Sequence, residues 1–172
     1  MDLITPAMNT ILVILAIITL GIYTVSIIRK GGIVPSSLSA SVFILPYGRR
    51  WIWSAVIFAV CFLCISPYVT KTGEQTQFLA FLSIAGLLFV GGAPLVRSWQ
   101  DNLQFQVHQW GAILCAACSQ LVLVFNCPYL LLCWTPFVAY EAYRFRNYLK
   151  WRTEVFWGEM VCFASTFIYC LI

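Results

Sequence analysis

His108, Glu141 and Glu159 are the side chains here whose type and placement could do chemistry. His108 is the only histidine, and it stands in the densest run of amide side chains, with Gln104 and Gln109 beside it and Asp101 just before. If 104–111 is helical, Gln104, His108 and Gly111 share one face at i, i+4 and i+7. An imidazole at the edge of an apolar segment moves protons or holds a ligand; its plainer use is a hydrogen bond to a neighbouring loop. Glu141 and Glu159 lie inside or at the edge of apolar runs, where a carboxylate costs about 2.5–3.5 kcal/mol on insertion scales and needs a partner. Arg144 follows Glu141 at i+3 and Arg152 precedes Glu159 by seven, so local ion pairs are one expectation. The other is a polar pocket in which His108, Glu141 and Glu159 converge, with Asp101 and Gln104 at its margin.

The eight cysteines include Cys61-x-x-Cys64 and Cys115-x-x-Cys118, each pair on one helical face. Four thiolates on zinc would leave net negative charge in an apolar setting with no cation to offset it, and a redox dithiol needs access to a partner near a surface. Small apolar filler is the expected use. Cys127 and Cys170 fall at one predicted surface, where an oxidising compartment would allow a disulfide. No Gly-x-Ser-x-Gly turn, no His-Glu-x-x-His and no phosphate-cradling glycine loop occurs. No cofactor or metal is expected.

These residues must be held by elements built for lipid. The chain has 62% hydrophobic and 9% charged residues, against about 25% charged in a soluble domain. Apolar runs of the roughly 20 residues that cross a bilayer recur along it. The fold class is therefore all-α, a polytopic membrane protein forming a single six-transmembrane-helix bundle, with spans at about 9–28, 51–69, 77–95, 107–125, 128–143 and 154–172. The first run lacks a basic leader and a small-x-small exit, so it is expected to stay as a span. Between spans one and two, 33–46 is moderately apolar, carries Ser36, Ser37, Ser39 and Ser41, and is bounded by Pro35 and Pro46. Basic pairs flank it, Arg29-Lys30 and Arg49-Arg50, so it is expected to begin and end on one side as an interfacial or re-entrant segment.

The charges fix the threading. Arg29, Lys30, Arg49, Arg50, Arg97, Arg144, Arg146, Lys150 and Arg152 fall on one side of this layout, and only Lys71 on the other. By the positive-inside rule the basic loops are cytoplasmic and both termini outside, in a bacterial inner or plasma membrane. The basic residues form short loops rather than a continuous face, which argues against nucleic acid. Small residues open span four (Gly111, Ala112, Ala116, Ala117, Ser119), a pattern that allows close helix approach. The Gly-Gly exits after spans one and three occupy inequivalent positions for an inverted repeat, which removes that transporter signature.

The stretch Val107-His108-Gln109-Trp110-Gly111-Ala112, read as His-x-x-Gly-Ala opening span four, resembles the DRAM/Sfk-like group of six-span membrane proteins. Val34-Pro35-Ser36-Ser37-Leu38-Ser39 is similar to that group's Pro-x-Ile-Ser segment. Ala40 and Ser41 stand where the group carries an acidic residue, and the charges place the first loop on the opposite side from the group's. The chain is also similar to small membrane proteins of gut bacteria and their phages, a resemblance that implies no activity.

Three functions follow as expectations. The first is a non-enzymatic integral membrane protein that binds lipid or a hydrophobic membrane partner, with Arg144, Arg146, Lys150 and Arg152 contacting headgroups. The second is a small transporter or channel, oligomeric with itself or with another membrane protein, using Glu141, Glu159 and His108. The third is a lipid-modifying enzyme with His108 and Asp101 as acid and base.

Overall fold

The computed structural model describes residues 4–92, 102–147 and 152–172. Those residues form six α-helices and no strand: α1 (Ile4–Gly31), α2 (Trp51–Lys71), α3 (Gln77–Gly92), α4 (Asn102–Asn126), α5 (Thr135–Arg146) and α6 (Glu154–Leu171). Five stretches, within α1, α2, α3, α4 and α6 and their flanking turns, are long and apolar enough to cross a membrane. The segment expected as one span at 128–143 is divided. Pro128–Trp134 winds as a 3-10 helix and only then does the α-helix begin. Pro136 explains the break: it has no N–H to give to the carbonyl four residues back.

The surface is as greasy as the interior. Ile22, Phe62, Phe125 and Leu132 are each more than 60% exposed, which suits a chain whose solvent is hydrocarbon. Hydroxyls on the helices bond back to their own turn, as Thr19 does to the Leu15 carbonyl (2.8 Å) and Thr166 to that of Cys162 (2.8 Å). Such back-bonding satisfies a polar side chain where water is absent.

Helix association in lipid depends on close packing rather than on apolar burial. The pair α3–α4 shows how. A Cβ on Gly86 would lie 2.6 Å from the Cys115 nitrogen and from the Gly111 carbonyl oxygen, and one on Gly111 would lie 2.8 Å from the Gly86 oxygen. Backbone meets backbone there.

The ends are polar and distinct. At one, Asn9 donates to Thr70 Oγ1 (3.1 Å) and the Tyr169 hydroxyl to the Lys71 carbonyl (3.0 Å), joining the start of α1 to the ends of α2 and α6. Asn126 ties the α2–α3 turn to α4, donating to Thr76 Oγ1 (3.0 Å) and accepting from the Gly73 amide (3.3 Å). The N-terminal end of α1 and the C-terminal end of α6 thus share one end of the bundle with Lys71. The order of the antiparallel helices puts Arg29, Lys30, Arg49, Arg50, Arg144, Arg146 and Arg152 towards the other, here called the basic end. Arg97 and Lys150 lie outside the described residues.

At the basic end α1 terminates at Gly31, with Gly32 in the left-handed region (φ 66°) and its amide on the Ile28 carbonyl (2.9 Å). The segment expected to be interfacial or re-entrant then folds back against the bundle. Ser39–Ile44 is a 3-10 turn, and Leu38, Ser41 and Val42 are buried. Ser41 Oγ meets the Tyr23 hydroxyl at 2.7 Å, about 12 Å below the end of α1 by helical rise. Hydroxyls account for this seating: Ser37 and Ser41 bond within the segment and Ser41 to Tyr23, so the short 3-10 turn packs against apolar helices with these side chains satisfied.

Candidate functional site

The site grows from the way this segment meets α6. Thr153 precedes α6 without a side-chain cap, and the Phe156 amide instead donates to the Ser36 carbonyl (3.1 Å). In return Glu159, one turn on, accepts the Leu38 amide through Oε2 at 2.5 Å. Orphan donors of the helix start and of the loop are satisfied reciprocally. Glu159 therefore has a structural partner, and it is a backbone amide rather than the expected Arg152.

Behind this junction α5 packs on α6 and on the 3-10 segment, leaving a half-open chamber of about 860 Å³ between α2, α3 and α4 on one side and α5 and α6 on the other. That volume lies in the upper part of the range, about 300–1,000 Å³, of pockets that bury small molecules. Ala112, Ala116 and Ser119 keep the α4 wall low, and Ile57, Val60, Leu87, Val138 and Phe163 supply apolar walls. Towards the far end Trp134 donates its indole N–H to Gln120 Oε1 (2.8 Å). At the basic end the lining includes Glu141, Glu154, Glu159 and Trp53.

These polar groups are poorly satisfied by the protein itself. Both carboxylate oxygens of Glu141, Oε2 of Glu154 and the Trp53 indole nitrogen are buried without a hydrogen-bond partner. The expected Glu141–Arg144 pair is not made. Arg144 is buried and its guanidinium lies over the Tyr140 ring, 5.7 Å from the centroid. Arg144 is buried, so of the residues expected to meet headgroups Arg146 and Arg152 are the exposed ones among the described residues.

The structure brings Glu141 and Glu159 to one chamber, as the pocket expectation required, but separates His108 from them. His108 is buried on α4 and hydrogen-bonded to the backbone of Val90 on α3, so it fastens that helix pair and does not line the chamber. Asp101 and the Gln104 side chain lie outside the described residues, and so does the acid–base pairing of His108 with Asp101. Gly111, one turn past His108, spends its missing side chain on the α3 contact.

Comparison with family models, with curated proteins and with solved structures finds no match. The site stands on its own geometry.

All eight cysteines are free thiols, Cys127 and Cys170 included. Cys61, Cys64, Cys115 and Cys162 line the chamber, and no group of three or more His, Cys, Asp or Glu among the described residues is arranged to hold a metal. The nearest polar contact of these thiols is modest: Ser83 Oγ lies 3.7 Å from Cys115 Sγ and donates to the Cys115 carbonyl at 3.1 Å. Glu154 and Trp53 are not among the candidate site residues the sequence offers. The signal that finds Glu154 is the α6 stripe Val155, Gly158, Glu159, Cys162, Phe163 and Thr166 at helical spacing, whose N-terminal extension reaches it.

Proposed function

We propose that this is an integral membrane protein, without catalytic activity, that holds a lipid-like molecule in the chamber between its helices. The observation that carries the reading is the chamber itself: about 860 Å³ and walled almost wholly by apolar side chains. A space of that size and lining accommodates the hydrocarbon part of a lipid-like molecule.

The same reading threads the chain six times. The 3-10 segment Pro128–Trp134 and α5 together reach about 32 Å at their respective rises, close to the roughly 30 Å of bilayer hydrocarbon. Six crossings with the basic end in the cytoplasm place both termini outside, in a bacterial inner or plasma membrane, with 33–46 dipping in from the cytoplasmic face. Arg146 and Arg152, with Lys150 between them in sequence, meet headgroups there. Partners are membrane lipids, a second copy or another membrane protein, and not nucleic acid.

Lipid content tests the reading. Protein purified in mild detergent should carry a bound amphiphile recoverable by solvent extraction, and Ala116→Phe, which fills the chamber, should carry several-fold less. Equal recovery from the two would contradict it. A second reading, a small transporter, has one observation in its favour, namely that Glu141 and Glu159 line a common chamber. Proteoliposome flux unchanged by Glu141→Gln and Glu159→Gln would remove it.

A further inference from the structure

Resting on the lipid-binding reading, we infer that the occupant is a phospholipid of the basic-end leaflet. One acyl chain passes sideways into the chamber through a slit between α4 and α5, and the phosphate head group stays outside, beside Arg146 and Arg152. The chamber offers a head group little. Its lining hydroxyls on Ser83, Ser119 and Thr166 each donate to a backbone carbonyl. Glu159 is engaged by the Leu38 amide, and both Glu141 oxygens and the Trp53 indole nitrogen are buried within the protein, away from the cavity surface. A charged group brought there would lose its water without gaining a partner, a cost that a hydrocarbon chain does not meet.

The walls show where a chain enters. α5 is joined to the bundle through α6 and the 3-10 segment and does not pack along α4. On α5, Val138, Ala142 and Phe145 follow one helical stripe at i, i+4 and i+7, and Ile113 stands on α4. All four line the chamber and are also exposed on the outer surface, which marks them as the lips of a mouth. They are apolar, so the slit opens on hydrocarbon rather than on water. By helical rise Ile113 lies about 12 Å past Phe105, where the apolar stretch of α4 begins, and Val138 about 12 Å before Arg146. The slit therefore runs from the basic end, where Phe145 and Val155 flank it, down through most of the nearer leaflet. A chain lying in that leaflet can move in while its head group keeps its depth. At the top of the slit, Arg146 follows Phe145 and Arg152 precedes Val155 by three, and both arginines are exposed. A guanidinium takes a phosphate through paired N–H bonds.

Two lipids with the same chains separate the head group from the slit. Full-length delipidated protein is titrated in a non-ionic detergent with dipalmitoyl phosphatidylglycerol and with dipalmitoylglycerol, which lacks the phosphate, and binding is read by native mass spectrometry. The phospholipid should bind at least about tenfold more tightly, the factor one charge-assisted hydrogen bond supplies. Arg146→Gln combined with Arg152→Gln should erase that margin. Ile113→Trp and Val138→Trp, each crowding one lip, should weaken phospholipid binding several-fold, and either serves if the other fails to fold. Phe62→Trp, on the outer face and away from the lining, should not. Equal binding of the two lipids, or a margin that survives the arginine replacements, overturns the head-group placement. Binding untouched by both lip variants but lost in Ala116→Phe overturns the sideways entry. In either case the chamber reading stands. No binding of either lipid, or binding undiminished in Ala116→Phe, overturns both. A dimer that binds no phospholipid and dissociates in the lip variants makes a second copy the cover of the slit, and overturns the inference.

Discussion

Glu141 and Glu159 look equivalent along the chain but do different work. Glu159 holds the Leu38 amide and so locks the first loop onto α6; Glu141 is buried beside the chamber with neither oxygen hydrogen-bonded. Glu159→Ala should therefore lower stability by at least about 0.5–1.5 kcal/mol, the worth of a hydrogen bond, measured by thermal unfolding in detergent. Glu141→Ala should leave stability unchanged or raise it, because it removes a buried carboxylate without a partner. A larger loss from Glu141→Ala than from Glu159→Ala would reverse these roles. Tyr23→Phe, which deletes the hydroxyl that meets Ser41, should cost about 0.5–1.5 kcal/mol in the same assay.

Between helices, the contact to disturb is α3–α4. Gly86→Ala places a methyl 2.6 Å from backbone atoms that have no rotamer to change, so the helices must separate. A cost of at least about 1–3 kcal/mol is expected, seen as a lower unfolding temperature. Gly158→Ala is the control, since its nearest neighbour is the tip of Phe137 at 3.7 Å, and it should be near neutral. At this scale the sequence was partly legible. The small residues of span four were visible as a packing stripe, yet they divide between two tasks: Gly111 admits α3, while Ala112 and Ala116 leave the chamber open. Spacing alone cannot assign them, because what lies opposite each depends on tertiary order. Likewise the two prolines of 128–143 were plain, but not that they would yield a 3-10 turn before a short helix.

For the whole molecule, composition and the run lengths were enough to anticipate an all-helical chain with several helices fit to cross a membrane. The gathering of basic residues at one end of the bundle was legible in the same way, since alternating loops of antiparallel helices must share an end. The chamber was not, because an interhelical gap leaves no pattern of its own. Nor was the separation of His108, which looked nearest to chemistry and instead packs α4 onto α3. The proposed threading makes a direct prediction. In a cysteine-free background, a cysteine at position 71 should react with an impermeant maleimide added to intact cells, and cysteines at 49 and 146 should not. The opposite pattern would invert the layout.

The central claim is that the chamber, and not the outer surface, holds the amphiphile. Photolabelling with a single-chain amphiphile carrying a mid-chain diazirine, followed by peptide mapping, tests this most directly. The account predicts adducts on chamber residues such as Ala116, Val138 and Phe163, suppressed by excess unlabelled amphiphile. Adducts confined to the outward-facing Phe62, Phe125 and Leu132, unaffected by competitor, would contradict it.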